Sequence, residues 1–108
     1  MSARLPSDLL VGAMMRRVQQ AGGYATVLAK GDAQAGSVLV IGVERGADPH
    51  IWERGFGPDG RTVLIDSTPA GDPDEYWRRR RARDPDLWVI ELDIPDSERF
   101  AAETMLDD

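Results

Sequence analysis

The amino-acid sequence predicts one α+β domain with a mainly antiparallel sheet of about five strands and two or three helices. The chain has 108 residues, which suits a single domain spanning 1–108. A segment with helical periodicity comes first, and four strand-like segments joined by short turns follow it. A second helix, a further strand and a short last helix complete the order α-β-β-β-β-α-β-α. We expect the helices to lie on one face of the sheet.

The first helix is predicted over residues 7–21. Apolar side chains recur along it at helical spacing and form one face: Leu10, Val11, Met14, Met15 and Val18. Ser7 or Asp8 is expected to cap its start, because a side-chain oxygen there can accept from free backbone donors. The two glycines at 22 and 23 are expected to end it, because glycine accepts the left-handed conformation that often closes a helix.

Four strand-like segments occupy the next part of the chain: 24–30, 37–45, 50–54 and 61–66. The second of them is apolar at both odd and even positions, which is typical of a central strand covered on both faces. The turn before the fourth has the sequence GPDG, in which proline presets one backbone dihedral angle and glycine accepts another. Short connections between successive strands favour an antiparallel meander.

The second helix is predicted over residues 74–84. Asp72 is expected to cap it, Pro73 suits its first turn, and Glu75 completes a capping-box pattern. Pro85 ends the helix, because proline disfavours helical geometry in the residue before it.

Two more elements complete the prediction. Residues 87–93 read LWVIELD, and the apolar side chains at their alternate positions indicate a strand. Residues 97–105 predict a short last helix, capped by Ser97. The acidic segment 95–108 as a whole is expected to be loosely attached to the domain.

Composition and charge exclude several classes of function. The chain has no cysteine, which removes disulfides, thiolate catalysis and cysteine-bound zinc. The formal net charge is −6, and the whole imbalance lies in residues 87–108, where one arginine faces seven acids. No signal peptide is predicted, and no run of about 18 apolar residues that could span a bilayer is present in the sequence. We therefore expect a soluble cytoplasmic protein that does not use a membrane.

An arginine-rich run is the most unusual feature of the sequence, because five of the six residues 78–83 are arginines. At about 100° per residue their side chains point to all sides of the helix, whereas nucleic-acid-binding helices usually concentrate cations on one face. Asp74, Glu75 and Asp84 lie three or four positions from arginines of the run and can pair with them. We therefore expect the run to be neutralised from within the protein.

Arg80 falls on the side of this helix that is expected to be buried, between Tyr76 and Trp77. A guanidinium there needs a carboxylate partner or must extend its stem to solvent. Four carboxylates on predicted strands are candidates: Glu53, Asp66, Glu91 and Asp93. Structural ion pairing is accordingly the role expected of Arg80, Asp84, Glu91 and Asp93.

The loop KGDAQAG at residues 30–36 superficially resembles an ion-binding or phosphate-binding loop. It has too few oxygen ligands for calcium, and it lacks the Gly-Lys-Ser/Thr ending that opens a helix in a P-loop. It is better interpreted as a connection between strands, with Lys30 and Asp32 as candidate binding residues.

Metal binding has little support in the sequence. His50 is the sole histidine, which excludes a zinc site built on several histidines within one chain. Asp48 and Glu53 are close enough in sequence for one weak metal site, but a polar strand end is the ordinary explanation. No metal and no cofactor is predicted.

Three functions remain open at this point. The first is a non-enzymatic protein-interaction module with Trp77, Arg78 and Arg81 as its contact surface, because no catalytic set is recognisable. The second is nucleic-acid or phosphate-ligand binding through the arginine-rich helix, with nucleic acid the less favoured partner. The third is a small enzyme using Glu91 or Asp93, which requires a concave site and a perturbed pKa. An uncovered edge strand or an aromatic patch would also support a homodimer.

Three segments together resemble a known family: RLPSDLLVGAMMRRV, GGYATVLAKGDAQAGSVLV and YWRRRRARDPDLWVIELD. They are similar to an alphaproteobacterial domain-of-unknown-function family, number fourteen ninety-one, over nearly the whole chain. The most specific parts are Lys30, Gly31, Asp32 and Gly36, and the segment 84–88, DPDLW. The resemblance implies a small stand-alone cytoplasmic protein, and it supplies no reaction, cofactor or partner.

Overall fold

A computed structural model describes residues 5–106 of the chain. Its elements follow in the order α1 Ser7–Gln20, β1 Tyr24–Ala29, β2 Val38–Glu44, β3 Ala47–Phe56, β4 Thr62–Asp66, α2 Pro73–Arg83, β5 Trp88–Asp93 and α3 Ser97–Met105. The predicted fold class and element order are confirmed. The third strand is longer than its predicted span, because β3 pairs with both β2 and β4, although its register with β2 shifts between Gly42 and Glu44.

The five strands form one sheet in the order β1-β5-β2-β3-β4. The predicted meander is correct for β2, β3 and β4, which pair antiparallel in succession. It is wrong for β1, because β5 is inserted between β1 and β2 and runs parallel to β2. All four apolar residues of β5 are buried, and a central position removes more of their area from water than an edge position would.

The helices lie on both faces of the sheet, so the expectation that they share one face is wrong. One core packs α1 and α3 against β2 and β5 through side chains such as Met14, Ile90 and Phe100. A second core, on the opposite face, includes Leu39, Ile51 and Val89 and is covered by α2 through its partly buried aromatic residues. Since β2 is apolar on both faces and β5 adds Val89 to the second core, each face needs its own cover.

Only one of the three predicted helix caps is formed. Asp72 caps α2 by accepting from the backbone N–H of Asp74. At α1, the backbone N–H groups of Ser7 and Asp8 instead donate to carbonyl oxygens of the loop at 33–34, and the hydroxyl of Ser7 donates to a loop carbonyl as well. At α3, Asp96 precedes the helix in the left-handed conformation, and no side-chain cap is present. Tertiary contacts at α1 thus replace local capping.

The C-terminal helix α3 packs into the first core through Phe100, Ala101 and Met105. Glu103 also forms an ion pair with Arg17 of α1. Residues 107 and 108 lie outside the described residues. The loose attachment expected for 95–108 as a whole therefore stays a prediction, although the helix within this segment packs into the first core.

Candidate functional site

The two segments with the most specific sequence patterns, the loop 30–36 and the segment 84–88, pack against each other. The backbone N–H of Asp32 donates to the carbonyl oxygen of Asp86 at 3.0 Å. The indole N–H of Trp88 donates to the carbonyl oxygen of Asp32 at 2.7 Å. These bonds join the start of β2 to the start of β5, which are parallel neighbours with no local connection.

Gly31 and Gly36 are required at this junction because both approach the same backbone carbonyl. A Cβ atom added to either glycine would lie 2.1 Å from the carbonyl oxygen of Asp86. That separation is far inside van der Waals contact, so a larger residue would have to push the two segments apart. The spacing of the two glycines therefore reflects packing, and no ligand is needed to explain it.

Two of the three carboxylates of these segments accept hydrogen bonds from their own loops. Asp32 accepts from the backbone N–H groups of Gln34 and Ala35, at 3.2 and 2.8 Å. Asp84 accepts from the backbone N–H of Asp86 at 3.1 Å. Such bonds shape turns and leave the carboxylate less available to a ligand. Asp32 thus has a structural use, and the exposed Lys30 contributes a carbonyl oxygen that accepts from Arg81 at 2.9 Å.

Arg80 joins α2 to the sheet through Glu53 of β3. Its guanidinium donates two hydrogen bonds of 2.9 Å, one to each carboxylate oxygen, and a third of 2.8 Å to the hydroxyl of Tyr76. The hydroxyl of Ser67 donates to the same carboxylate. Of the four carboxylates predicted as partners of Arg80, only Glu53 forms the pair. Asp66 instead accepts hydrogen bonds from Thr68.

The hydrogen bonds of this network shift the pKa values of Glu53 and Arg80 so that each side chain favours its charged form. Hydrogen bonds from Arg80 hold the pKa of the Glu53 carboxyl below its ordinary value, although partial burial acts against them. The same bonds raise the pKa of Arg80 further above its ordinary value. Both side chains are half-buried, with 32% of Arg80 and 21% of Glu53 exposed, so the pair is less screened by water than a surface ion pair.

Among the carboxylates of residues 5–106, none forms an ion pair with the other arginines of α2. Arg78 lies over the ring of Trp77, with 5.3 Å between the guanidinium carbon and the ring centroid. Arg79 and Arg83 are exposed, and Arg81 donates to a backbone carbonyl. Within residues 5–106, Arg80 is the only one of the five that forms an ion pair with an acid.

Within the described part of the chain, neutralisation of the arginine run by acids therefore holds for Arg80 and fails for the other four arginines. The local pairs expected with Asp74, Glu75 and Asp84 are not formed among the described residues. The indole N–H of Trp77 donates to Asp74, and Asp84 is used by its own turn. Because Arg80 and Arg81 turn toward the sheet, the remaining arginines Arg78, Arg79 and Arg83 share the outer surface of the helix.

Glu91 and Asp93 lie on β5 and have different surroundings. Asp93 accepts from the backbone N–H groups of Arg45 and Gly46 at 2.7 and 3.1 Å, which closes the turn between β2 and β3. Burial raises the pKa of the Glu91 carboxyl, and the charges of Asp93 and Asp74 raise it further. Neither carboxylate lines either of the two hollows described next, so these hollows do not support the enzyme hypothesis.

Two hollows in the described part of the chain differ in size and lining. The larger, of about 440 Å³, lies between the start of α1, the loop before β2, the end of β3 and the end of α3. The smaller, of about 260 Å³, is lined by His50, Asp48 and Trp52, among others. Glu53 lines the larger hollow, but its carboxylate is bound to Arg80 on the other side of the sheet. Within residues 5–106, no three acidic or histidine side chains lie close enough together to hold a metal ion.

The sequence patterns give little indication of several residues of these sites. Ser67 looks like a turn serine, yet it bonds to Glu53 across two strands. Arg54, Ser37 and Phe56 line the larger cavity and belong to no recognisable motif. Only their adjacency in the folded chain gives them a common place, so no linear spacing could have found them.

The protein is a small α+β domain in which the two segments with the most specific sequence patterns, 30–36 and 84–88, bond to each other at the starts of β2 and β5. A family model described as "Protein of unknown function (DUF1491)" matches residues 5–102. The chain belongs to the DUF1491 family, which confirms the resemblance seen in its sequence. No curated protein matches it.

Solved structures from the family have the same fold. A crystal structure of a DUF1491 family protein from Caulobacter crescentus CB15 has a TM-score of 0.80 and 35% identity, covering 90% of this chain and 94% of that one. An NMR structure of a DUF1491 family protein from that organism gives 0.76 and 33%, covering 92% and 94%. The solution structure of protein Atu0922 from A. tumefaciens gives 0.70 and 27%, covering 87% and 89%. Separately, no helix within residues 5–106 has the length and apolar character needed to cross a membrane.

Proposed function

We propose that the protein is a non-enzymatic protein-interaction module that binds its partner through the outer surface of α2. The observation that supports this most is the stacking of Arg78 on Trp77 beside Arg79 and Arg83, none of which contacts a carboxylate among the described residues. Arginine and tryptophan are the residue types that most often anchor protein interfaces. Arg81, by bonding to the end of β1, holds this surface against the sheet.

The chemistry of this surface favours an acidic partner. Guanidinium groups bind carboxylates with charge-assisted hydrogen bonds, and this gain is largest where the guanidinium has no acid of its own. Three arginines of α2 meet that condition. The chain as a whole carries a formal charge of −6, which repels a long polyanion extending beyond α2. A short acidic segment of a protein can contact the arginines of α2 with less of this repulsion.

Reversal of charge on α2 is expected to abolish partner binding. A variant with Arg78→Glu, Arg79→Glu and Arg83→Glu should lose at least about tenfold of each specific partner in affinity capture from native lysate, because repulsion replaces attraction. The capture is run with and without nuclease, and the bound proteins are quantified by mass spectrometry. Arg61→Glu, on the turn between β3 and β4, makes the same change at a side chain that is 86% exposed and serves as the control.

Two results would contradict this proposal. The first is an unchanged set of partners with the α2 variant. The second is equal loss with the control, which would mean that net charge alone governs capture. Partners that disappear after nuclease treatment would transfer support to nucleic acid.

Binding of nucleic acid or of a phosphorylated ligand through α2 is the second candidate. It is favoured by the exposure of Arg78, Arg79 and Arg83 on α2. It requires affinity for single-stranded RNA or duplex DNA that falls steeply as salt rises, because phosphate contacts release counterions. A flat fluorescence-anisotropy titration at low salt with both probes would remove this candidate.

We further propose that two copies pair through the edge strand β4. The other edge strand, β1, carries a bulge between Val27 and Ala29, and bulges discourage pairing with a further strand. The ladder from β3 to β4 is regular, and Ile65 beside the edge is 41% exposed. Sedimentation equilibrium should give twice the chain mass for the wild type and the chain mass for Ile65→Lys; a monomeric wild type contradicts the pairing.

A cytoplasmic location is proposed on the basis of composition. A chain without cysteine does not depend on an oxidising compartment for disulfides, and it suits a reducing one. Fractionation of cells with an antibody against the chain would test this, and recovery in the membrane fraction would contradict it.

A further inference from the structure

The larger hollow lies against the first core, on the side of the sheet that α1 and α3 cover. Its volume of about 440 Å³ falls within the range of about 300–1,000 Å³ that is usual for small-molecule sites. No residue of α2, which the proposed function uses, lines it. The kind of molecule that the hollow can hold is therefore decided by its own walls, which come from four separate parts of the chain.

The inner wall of the hollow is apolar. Leu10 of α1, Val38 of β2 and Met105 of α3 line it, and each is less than a tenth exposed. At the mouth, Leu5 is 45% exposed and Phe56 is 71% exposed. Large apolar side chains that stay in water beside a concave apolar wall often mark a binding site, because a ligand that covers them removes apolar area from water.

The two charged side chains of the described lining are already engaged, so neither offers its charge to a ligand. The carboxylate of Glu53 accepts from Arg80 and from the hydroxyl of Ser67. Arg54 has an interaction partner of its own, and two nitrogen atoms of its guanidinium, Nε and Nη2, are buried. An ionic ligand would lose hydration in the hollow and gain no counter-charge, which is unfavourable. The lining therefore selects against ions.

Neutral hydrogen-bonding groups lie at the mouth of the hollow. Gln34 and Ser37 line it and are exposed, and their amide and hydroxyl groups can both donate and accept. The hydroxyl of Ser7, also in the lining, is used within the protein, because it donates to the carbonyl oxygen of Gly36. The exposed polar side chains of the described lining are thus uncharged.

The loop that carries Gln34 and Ser37 is fixed at both ends of the hollow. The carbonyl oxygen of Gln34 accepts from the backbone N–H of Ser7 at the start of α1. The carbonyl oxygen of Ser37 accepts from the backbone N–H of Trp88 at the start of β5. A wall that is formed before the ligand arrives reduces the entropy lost on binding.

We propose that the larger hollow binds a small neutral amphiphile, a molecule with an aliphatic body and an uncharged hydroxyl or amide head. The body lies against Leu10, Val38 and Met105, and the head bonds to Ser37 or Gln34 at the mouth. Apolar groups of the ligand then meet the apolar wall, and its neutral polar head meets neutral polar side chains. This binding does not depend on α2 being an interaction surface.

The experiment compares 1-octanol with octanoate, which share an aliphatic body and differ in the charge of the head. Titration calorimetry with the full chain should show one 1-octanol bound per chain. Octanoate should bind at least about tenfold more weakly, because no free cation offsets the loss of hydration of its carboxylate. In NMR spectra, 1-octanol should change the chemical shifts of Val38 and Met105, which line the inner wall.

Variants at the mouth test the place of the ligand and of its head without altering the core. Ser37→Phe should fill part of the hollow and weaken 1-octanol binding at least about tenfold. Thr26→Phe, at an exposed position of β1 that does not line the hollow, is the control and should bind as the wild type does. The double variant Gln34→Ala, Ser37→Ala should weaken 1-octanol binding about fivefold, because it removes the partners of the head.

Three results would overturn the proposal. Absence of 1-octanol binding to the wild type would exclude the ligand class. Octanoate binding as tight as that of 1-octanol would show that the hollow does not select against charge. Binding that Ser37→Phe leaves intact would place the ligand elsewhere. None of these results bears on α2, so failure here and failure of the proposed function are distinguishable.

Discussion

Replacing Gly31 by alanine is expected to lower the free energy of unfolding by about 3 kcal/mol, near the upper end of the cost of overpacking. The added Cβ would lie 2.1 Å from the carbonyl oxygen of Asp86 and 2.7 Å from the indole ring of Trp88. A backbone oxygen cannot rotate away as a flexible side chain can. The segment before β5 must therefore shift, which also strains the hydrogen bond from Asp32 to Asp86.

Equilibrium unfolding in urea measures this effect, and Gly71→Ala is the matched control. A Cβ at Gly71 meets nothing within 4 Å, so the same substitution should change stability by less than about 0.5 kcal/mol or raise it slightly. If Gly31→Ala were as stable as the control, the interlocked segments could separate at no cost. The structural explanation of the sequence pattern at 30–36 and 84–88 would then be wrong.

Removing either partner of the Arg80–Glu53 pair is expected to cost about 2 kcal/mol, because the remaining charge stays half-buried without its bidentate partner. Arg80→Gln, Glu53→Gln and the double variant form a thermodynamic cycle. The coupling free energy should be about 1.5 kcal/mol, since the two hydrogen bonds are charge-assisted and well aligned. The losses come from unfolding of wild type and variants in urea at neutral pH.

The exposed pair Arg61–Asp59 provides the comparison for this cycle. Its side chains are 86% and 62% exposed, and its coupling should be below about 0.5 kcal/mol. Equal coupling in the two cycles would mean that partial burial adds nothing to the Arg80–Glu53 pair. It would also mean that the tie between α2 and β3 is no stronger than a surface contact.

The contribution of Glu53 should depend on pH with a defined sign. Its pKa is lower in the folded protein than its ordinary value of 4.5, so its stabilising effect is present above that value. The effect is lost as pH falls through the lowered folded pKa. Glu91 acts in the opposite sense, because its raised pKa favours the folded state when the carboxyl is protonated and this advantage disappears as pH rises. The stability difference between wild type and Glu53→Gln isolates Glu53 and should shrink below about pH 4.5.

The sequence was informative about α2 where local chemistry acts alone. Asp72 caps the helix and Pro85 follows its end, as the pattern predicts, because capping and proline sterics involve only near neighbours. The partner of Arg80 could be narrowed to four carboxylates and no further. Glu53 is chosen by the position of β3 beneath the helix, and that position depends on the order of strands in the sheet.

The sequence by itself determined the kinds of elements, their order and nearly all of their ends, because periodicity, glycine and proline act within a few residues. Tertiary structure decided the insertion of β5 between β1 and β2, the division of the helices between two faces, and the meeting of the loop at 30–36 with Asp86. It also decided which arginines of α2 turn toward the sheet and which remain on the surface. Those outcomes depend on contacts between residues tens of positions apart, where burial of apolar area and pairing of backbone groups compete over the whole chain.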